Sequence, residues 1–162
     1  MLTQFSRTAL LFGEMGMEKL RASRVAVFGV GGVGGYAVEA LARSGIGALD
    51  IFDHDRVCVS NINRQIIATH KTVGRYKADV AKERILDINP HALVNAWRLF
   101  YTPETSRQID LSAYDYIVDA IDTVTCKLEL IVKSKAAGVP VISSMGAGNK
   151  VNAWALEVAD IY

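Results

Sequence analysis

The sequence predicts an α/β fold of the Rossmann-like, doubly wound type, with a mainly parallel sheet and helices on both faces. Three observations indicate it: short apolar segments alternate with amphipathic ones, a glycine-rich turn follows the first apolar segment, and an acidic residue follows the second. Strands that alternate with helices are joined by crossover connections, which favour parallel pairing. Ligands of such sheets collect at the carboxyl ends of the strands, so a binding site is expected there.

The elements can be assigned in order along the chain. Residues 24–30 (RVAVFGV) form an apolar, β-branched run that ends in glycines, which is typical of a strand buried on both faces. Residues 33–44 carry apolar side chains at helical spacing, and Gly45 ends that helix. The remaining predicted strands and helices follow the same patterns: strands at residues 49–52, 93–99, 116–120 and 139–143, and helices at residues 76–88 and 125–137.

The composition predicts a single domain over residues 1–162 without a membrane segment. Hydrophobic residues make up 51% of the chain, enough for a core, and no run of about 18 apolar residues occurs. The net charge of +1 provides no general positive field for nucleic acid or an anionic membrane. Two cysteines without CxxC spacing indicate a reducing, cytoplasmic environment, and Cys58 and Cys126 are expected to be small buried side chains.

The glycine-rich turn predicts a nucleotide site. Its GVGGVGG sequence contains Gly29, Gly31, Gly32 and Gly34, directly after a predicted strand and at the start of a predicted helix. Glycines let the backbone approach a phosphate, and the positive end of the helix attracts its charge. Asp53, about 20 residues further on, is where this fold class binds a ribose. From these residues alone NAD is favoured over ATP, and a purely structural glycine turn is the alternative.

Residues 53–65 (DHDRVCVSNINRQ) favour ATP instead. They resemble the DxDxVxxSNLNRQ signature of the ThiF, MoeB and ubiquitin-activating E1 family, from which Ile62 is the one departure. The resemblance implies that Asp53 binds ribose and that other side chains contact the phosphates. The nucleotide-binding residues that it implies in this part of the chain are Asp53, Asp55, Asn61, Arg64, Gln65 and Lys77.

Lys77 is independently informative, because it begins a predicted helix. A cation is disfavoured at that end of a helix unless an anion lies nearby, and a bound phosphate would remove the conflict. Asp55 also has a simpler interpretation, as the cap of a turn. Arg64 and Lys77 could each be solvated surface charges, although their order and spacing together argue against coincidence.

Two further residues complete the set of catalytic candidates, which consists of Arg64, Lys77, Asp122 and Arg7. Asp122 follows a predicted strand and matches the aspartate that holds Mg²⁺ in the family, although Thr123 stands where many relatives have asparagine. Arg7, in FSRTALLFG, resembles the arginine of the family's RYxRQxxLxG motif. That arginine reaches the nucleotide of the partner subunit in relatives, so the resemblance implies a homodimer.

The substrate is implied by the two ends of the chain. Residues 141–162 contain SSMGAGNK and EVADIY, and the start matches FxRTxxLxGxxxMxKL. Both resemble the tRNA threonylcarbamoyladenosine dehydratases, a branch of this family. The resemblance implies that ATP activates the threonine carboxylate of that modified adenosine, whose own carbamoyl group then attacks to close a ring. It also implies that a C-terminal portion of the family domain is missing, with Tyr162 inside an expected strand.

Three other functions remain open. The first is adenylation of the C-terminal glycine of a ubiquitin-like sulfur carrier, as in MoeB and ThiF. The second is an NAD-dependent dehydrogenase, which would have no need of Arg64, Lys77 or Asp122. The third is a noncatalytic interaction module. For tRNA binding the sequence offers only three lysines on one helix, for which an ordinary solvated face is the favoured explanation: Lys127, Lys133 and Lys135.

Overall fold

A computed structural model describes residues 3–160, which form one five-stranded sheet with helices on both faces. All pairings are parallel, and the strand order is β3-β2-β1-β4-β5. The strands are β1 (Arg24–Phe28), β2 (Ala48–Phe52), β3 (Leu93–Trp97), β4 (Tyr116–Asp119) and β5 (Val141–Ser143). The helices are α1 (Ser6–Ala22), α2 (Gly34–Ser44), α3 (Lys77–Ile88) and α4 (Val124–Ala136).

The predicted doubly wound fold is therefore confirmed, with small changes at the ends of elements. The strand predicted over residues 24–30 ends at Phe28, because Gly29 has a φ of 87° and turns the chain out of the hydrogen-bonded ladder. The strands predicted over 93–99 and 116–120 end at Trp97 and Asp119. In each case the residues that follow the strand lie at the carboxyl edge of the sheet.

Strand β1 separates two hydrophobic cores. Val25 and Val27 face the side that α2 and α3 cover, where Val38 and Ile85 are buried. Alternate side chains of a strand point to opposite faces, so Ala26 and Phe28 face the other side. There they pack in a second core with Leu130 of α4 and Tyr101. Both faces of β1 are thus buried, as its continuous apolar sequence predicts.

The chain order around β1 creates a crevice. Strand β1 pairs with β2 on one side and with β4 on the other, so the connections that leave β1 and β4 run to opposite faces of the sheet. At such a switch point the loops diverge beyond the carboxyl ends and leave space for a ligand. The glycine turn after β1 and the loop after β4 border this space.

A buried carboxylate that the sequence did not indicate ties three strands together. Asp50 of β2 is fully buried, and its oxygens accept hydrogen bonds from Arg24 Nε at 2.6 Å, Asn95 Nδ2 at 2.8 Å and Trp97 Nε1 at 2.9 Å. Burying a charge is costly unless it is paired and hydrogen-bonded. These three donors offset that cost and connect β1, β2 and β3 across the strand direction.

Glu39 links α2 to α3, and we expect Glu39→Gln to lower the free energy of unfolding by about 1 kcal/mol at pH 7. Its carboxylate accepts hydrogen bonds from Arg84 of α3 at 2.9 Å and from Arg43 within its own helix. These two arginines, Arg84 foremost, hold the pKa of Glu39 below its ordinary value of 4.5. The stabilisation is therefore present above that value and is lost as the pH falls through the lowered pKa.

Urea unfolding of both proteins between pH 7 and pH 3 measures this effect. The difference between wild type and Glu39→Gln should shrink as the pH falls, because protonation removes the same ion pairs in the wild type. Glu14→Gln, at an exposed position of α1, serves as the control, and its free energy of unfolding should equal that of the wild type at both pH 7 and pH 3. A difference that stays constant with pH would show that the ion pairs are not its origin.

The C-terminal segment is exposed and contains one short 3-10 helix, Ala153–Ala155. Trp154 and Val158 are 97% and 90% exposed, and the described residues after Ser143 form no strand. Tyr162, predicted to lie in a strand, falls outside the described residues. Among the helices described within residues 3–160, none is both long and apolar enough to cross a membrane.

The two cysteines differ from the prediction in one respect. Cys126 is buried as expected, but Cys58 is exposed, because it precedes the short 3-10 helix Val59–Asn61 on the surface. Its sulfur lies 3.7 Å from the main-chain oxygen of Arg56, a weak contact. The prediction of a buried Cys58 was therefore wrong.

Candidate functional site

A cavity of about 570 Å³ lies at the carboxyl edge of the sheet, where the doubly wound fold predicts a ligand. This volume falls in the range of small-molecule sites. Its walls are the glycine turn after β1, the residues that follow β2, β3 and β4, and residues 144–148 after β5. Of the predicted site residues, those that line it are Gly29, Gly31, Gly32, Asp53, Asp55, Arg64, Gln65, Lys77 and Asp122.

The glycines of the turn have different roles. A Cβ at Gly29 would lie 2.7 Å from the main-chain oxygen of Ala120, so only glycine allows β1 and β4 to come this close at the cavity floor. Gly31 and Gly32 are instead partly exposed on the cavity wall, where an added Cβ would make only ordinary contacts, at 3.6 and 3.7 Å, with the side chains of Gln65 and Arg64 respectively. The main chain of these two glycines is thus accessible to a ligand.

Gly34 contributes to packing and does not line the cavity, so its predicted contact with the nucleotide is not supported by its position. A Cβ at Gly34 would lie 1.8 Å from the main-chain oxygen of Gly29, a distance that no side chain can occupy. The start of α2 therefore packs directly on the turn that precedes it.

These positions predict that only one of two alanine substitutions destabilises the fold. Gly34→Ala should lower the melting temperature by several degrees, because the turn and α2 must separate, an effect of about 2 kcal/mol or more. Gly31→Ala should keep the wild-type melting temperature, since its nearest neighbour, Gln65 Nε2, would be 3.6 Å away. Thermal unfolding followed by circular dichroism compares the two. Equal melting temperatures would contradict the packing role of Gly34.

Asp53 lies at the end of β2, on the cavity wall, and is 8% exposed. Its Oδ2 accepts a hydrogen bond from the main-chain nitrogen of Val30 at 2.9 Å, and its Oδ1 accepts one from that of Asp55 at 2.8 Å. Burial raises the pKa of the Asp53 carboxyl, although these backbone donors oppose the shift. The carboxylate thus ties β2 to the glycine turn, and its predicted contact with a ribose stays a prediction.

Lys77 is the first residue of α3, as predicted, and its side chain is only 7% exposed. Its Nζ lies 2.7 Å from Oδ2 of Asp55, and this hydrogen bond lowers the pKa of the Asp55 carboxyl. Asp55 therefore does more than cap a turn. It supplies a negative charge beside a cation that the helix dipole disfavours, and Lys77 remains on the cavity wall, where a phosphate could also bind.

Arg64 and Gln65 face the glycine turn from the opposite wall. Arg64 is exposed, and its Nη1 donates to the main-chain oxygen of Ser60 at 3.0 Å and to Asn63 Oδ1 at 2.8 Å. Gln65 is 6% exposed, and within residues 3–160 its Oε1 has no hydrogen-bond partner. A buried polar atom without a partner is unusual, and here it lies on the cavity wall, where a ligand could supply a donor.

Two further predicted residues do not line the cavity. Asn61 accepts a hydrogen bond from the main-chain nitrogen of Cys58 at 3.0 Å, so its oxygen closes the turn that precedes Arg64. This hydrogen bond uses only the side-chain oxygen of Asn61, so its predicted phosphate contact stays a prediction. Arg7 is exposed on α1 and is also absent from the cavity wall of this chain. Its predicted role requires a second subunit and stays a prediction.

Asp122 fits a hard cation better than the other acidic residues. It is exposed on the cavity wall, and its only hydrogen bond among the described residues is a long one of 3.4 Å from Thr123 Oγ1. The ligand atoms of Asp53, His54 and Asp55 lie within 4.8 Å of one another, but the two aspartates there already bind Val30 and Lys77. Asp122 therefore keeps the most oxygen ligands available for Mg²⁺.

Sequence reasoning missed the apolar wall of the cavity. The rings of Phe28 and Phe52 stack with centroids 4.4 Å apart, and Tyr101 meets Phe28 edge-on at 5.0 Å. These three rings are buried beneath the wall, whereas the partly buried Leu99 and the exposed Phe100 give it an apolar surface on which an aromatic base could pack. Phe28 and Phe52 read as ordinary core residues in the sequence. Only the shared edge of β1 and β2 brings them to the site.

Sequence reasoning also misplaced Lys127. The sequence places it on a solvated face of α4 together with Lys133 and Lys135, but its side chain is only 6% exposed. The Nζ atom lies 2.7 Å from Oδ2 of the fully buried Asp119. An isolated lysine in a helix is usually solvated, which is why the sequence groups Lys127 with surface lysines. The aspartate eight residues earlier, at the end of β4, was the signal that could have identified the pair.

Comparison with known proteins extends these observations. The ThiF family profile matches residues 5–160. The tRNA threonylcarbamoyladenosine dehydratase of Bacillus subtilis is 48% identical over 99% of this chain and 63% of its own length. The Escherichia coli protein of the same name is 41% identical over 98% of this chain and 59% of its own length. The chain thus spans about three fifths of the length of these relatives.

Solved structures show the same fold with nucleotides bound. The E. coli tRNA N6-threonylcarbamoyladenosine dehydratase in complex with AMP superposes with a TM-score of 0.89 at 42% identity. Its complex with ATP gives a TM-score of 0.87 at 41% identity. Both matches cover 92% of this chain and 61% of the other. E. coli MccB with ATP gives 0.79 at 25% identity and covers 88% of this chain and 44% of the other.

Proposed function

This chain belongs to the ThiF family, and from that premise we propose that it joins a carboxylate to AMP at the expense of ATP. The observation that carries the proposal is that Arg64, Lys77 and Asp122 line one cavity with the glycine turn. Two cations, a weakly engaged carboxylate and the partly exposed main chain of two glycines are groups that adenylation can use. An NAD-dependent dehydrogenase would need none of the three side chains.

Some residues of the site bind the nucleotide, and others stabilise the charge that develops during the reaction. Main-chain amides at Gly31 and Gly32 face the phosphates, and Asp53 holds the ribose beside the apolar wall. The carboxylate attacks the α-phosphate, and pyrophosphate leaves as the acyl-adenylate forms. Arg64 and Lys77 lower the barrier by binding the negative charge that develops on the phosphate oxygens. No protein nucleophile is needed, because the carboxylate is itself the nucleophile.

Mg²⁺ would be held by Asp122 and by phosphate oxygens. When bound, it neutralises phosphate charge and orients the pyrophosphate leaving group. The exposed, weakly engaged carboxylate of Asp122 supports this assignment. Thr123, where many relatives have asparagine, donates only a long hydrogen bond to that carboxylate and leaves the other oxygen available.

The proposed substrate is tRNA that carries N6-threonylcarbamoyladenosine, the nucleoside after which the dehydratase relatives are named. Activation of its threonine carboxylate lets the carbamoyl group of the same nucleoside displace AMP and close a ring. Water is lost overall, and ATP becomes AMP and pyrophosphate. We further propose a cytoplasmic homodimer in which Arg7 reaches the partner's nucleotide. We also propose that residues 1–162 form a single adenylation domain.

One observation favours a second candidate, adenylation of a ubiquitin-like sulfur carrier. A protein named adenylyltransferase and sulfurtransferase, from Ogataea parapolymorpha, is 36% identical over 83% of this chain. The chemistry on ATP would be the same, and only the carboxylate would differ. The exposed site loops after β5 would then meet a protein C-terminus in place of a nucleoside.

An assay of AMP and pyrophosphate formation distinguishes the two. The protein is given ATP and Mg²⁺ with either tRNA bearing threonylcarbamoyladenosine or a carrier protein that ends in Gly-Gly. AMP formed only with the tRNA, with loss of the mass of one water molecule from the nucleoside, supports the dehydratase. AMP formed only with the carrier supports the second candidate. ATP binding without turnover of either would leave adenylation by this chain alone unsupported.

A further inference from the structure

A buried ion pair lies behind the cavity wall that carries Asp122. Lys127 and Asp119 are 2.7 Å apart, and their side chains are 6% and 0% exposed. The Lys127 ammonium also donates to the main-chain oxygen of Ser144 at 2.9 Å and to Ser143 Oγ at 3.2 Å. The three hydrogens of the ammonium thus have three acceptors. Lys127 joins α4, β4 and the residue after β5 at a single point.

Asp119 extends the link to both neighbouring loops of the cavity. Its Oδ1 accepts a hydrogen bond from the main-chain nitrogen of Ile121 at 3.0 Å, and its main-chain oxygen accepts one from that of Ser144 at 2.9 Å. Ile121 directly precedes Asp122, and Ser144 begins the segment 144–148. Both loops line the cavity, whereas Lys127 and Asp119 do not.

We propose that Lys127 is a positioning residue for the nucleotide site, which holds the Asp122 loop and segment 144–148 in register through Asp119 and Ser144. The identity of the ligand rests on the proposed function, but the positioning itself does not. A direct contact of Lys127 with tRNA is incompatible with its burial. A merely stabilising ion pair would strengthen the whole fold and would have no special effect on these two loops.

Amide hydrogen exchange measured residue by residue by NMR tests the positioning. In Lys127→Met the amides of Ile121 and Ser144 should exchange at least about tenfold faster, because their acceptors are no longer held. The amides of β2 should keep their wild-type rates. Lys133→Met is the matched control, since Lys133 lies on the same helix and pairs with Glu129 at 3.0 Å, away from the cavity.

Three outcomes are decisive. Faster exchange confined to the two loops supports the proposal, whereas unchanged loops or a uniform increase over the sheet overturns it. If Lys127→Met does not fold, Ser143→Ala is judged by the same criterion. That variant removes the hydroxyl that donates to Asp119 Oδ2 at 2.6 Å and keeps the ion pair, so a smaller but localised increase is expected.

Calorimetric titration of ATP with and without Mg²⁺ connects the positioning to the ligand. Lys127→Met should lose most of the magnesium-dependent gain in affinity, as Asp122→Ala should, and Lys127→Arg should recover part of it. A folded Lys127→Met with the wild-type gain would overturn the link to Asp122. If the wild-type protein binds no ATP, the proposed function fails, and the exchange measurement still decides the positioning.

Discussion

Arg64→Ala is expected to lower the kcat of AMP formation by about 10³-fold while the melting temperature stays within a degree or so of wild type. The guanidinium lies on the cavity wall opposite the glycine turn. Hydrogen bonds from its Nη1 to Ser60 and Asn63 fix the orientation of the side chain, which stays exposed. An exposed side chain contributes little to stability, so its loss should lower kcat and leave the melting temperature unchanged.

The measurement is steady-state AMP release with the substrate that the tRNA and carrier assay identifies. Arg107→Ala is the control, because Arg107 is also exposed and does not line the cavity. A roughly tenfold smaller effect for Arg64→Lys than for Arg64→Ala would indicate that charge, and not only the planar guanidinium, is used. Near-normal activity in Arg64→Ala would remove Arg64 from the catalytic set and weaken the assignment to adenylation.

Lys77→Met is expected to weaken ATP binding about 10- to 100-fold, because a charge-assisted contact with phosphate contributes about 1.5–3 kcal/mol. Methionine retains most of the length of lysine, so the buried position at the start of α3 stays filled. The Asp55 partner is left with a half-exposed side chain, whose charge water can solvate. The protein should therefore remain folded and lose affinity.

Titration calorimetry with ATP provides the test, and Lys82→Met on the same helix is the control, since Lys82 does not line the cavity. The pH dependence of the ion pair between Lys77 and Asp55 adds a second readout. Lys77 lowers the pKa of the Asp55 carboxyl, so in the wild type this ion pair persists above the ordinary aspartate range and is lost as the pH falls through the lowered value. If Lys77→Met binds ATP as tightly as wild type, Lys77 serves only to pair with Asp55.

Much of the site could be predicted because it depends on local sequence. The glycine turn, Asp53 and Lys77 each lie next to the end of a strand or the start of a helix, where hydrophobic periodicity and turn residues locate them. Other roles depend on contacts that the spacing of residues does not reveal. Asn61 matches a phosphate ligand of the family but closes its own turn, and Gly34 is required by the nearness of Gly29.

By itself, the sequence determined the fold class and the position of the site, because periodicity and turn chemistry act over a few residues, while its resemblance to a known family implied most of the polar residues. Only the tertiary structure decided which charges are buried. Lys127 reads as a surface lysine until β4 and β5 bring Asp119 and Ser144 to its ammonium. The apolar wall likewise forms only when Phe28 and Phe52 meet across paired strands. Burial is a property of elements distant in sequence, so no local pattern reports it.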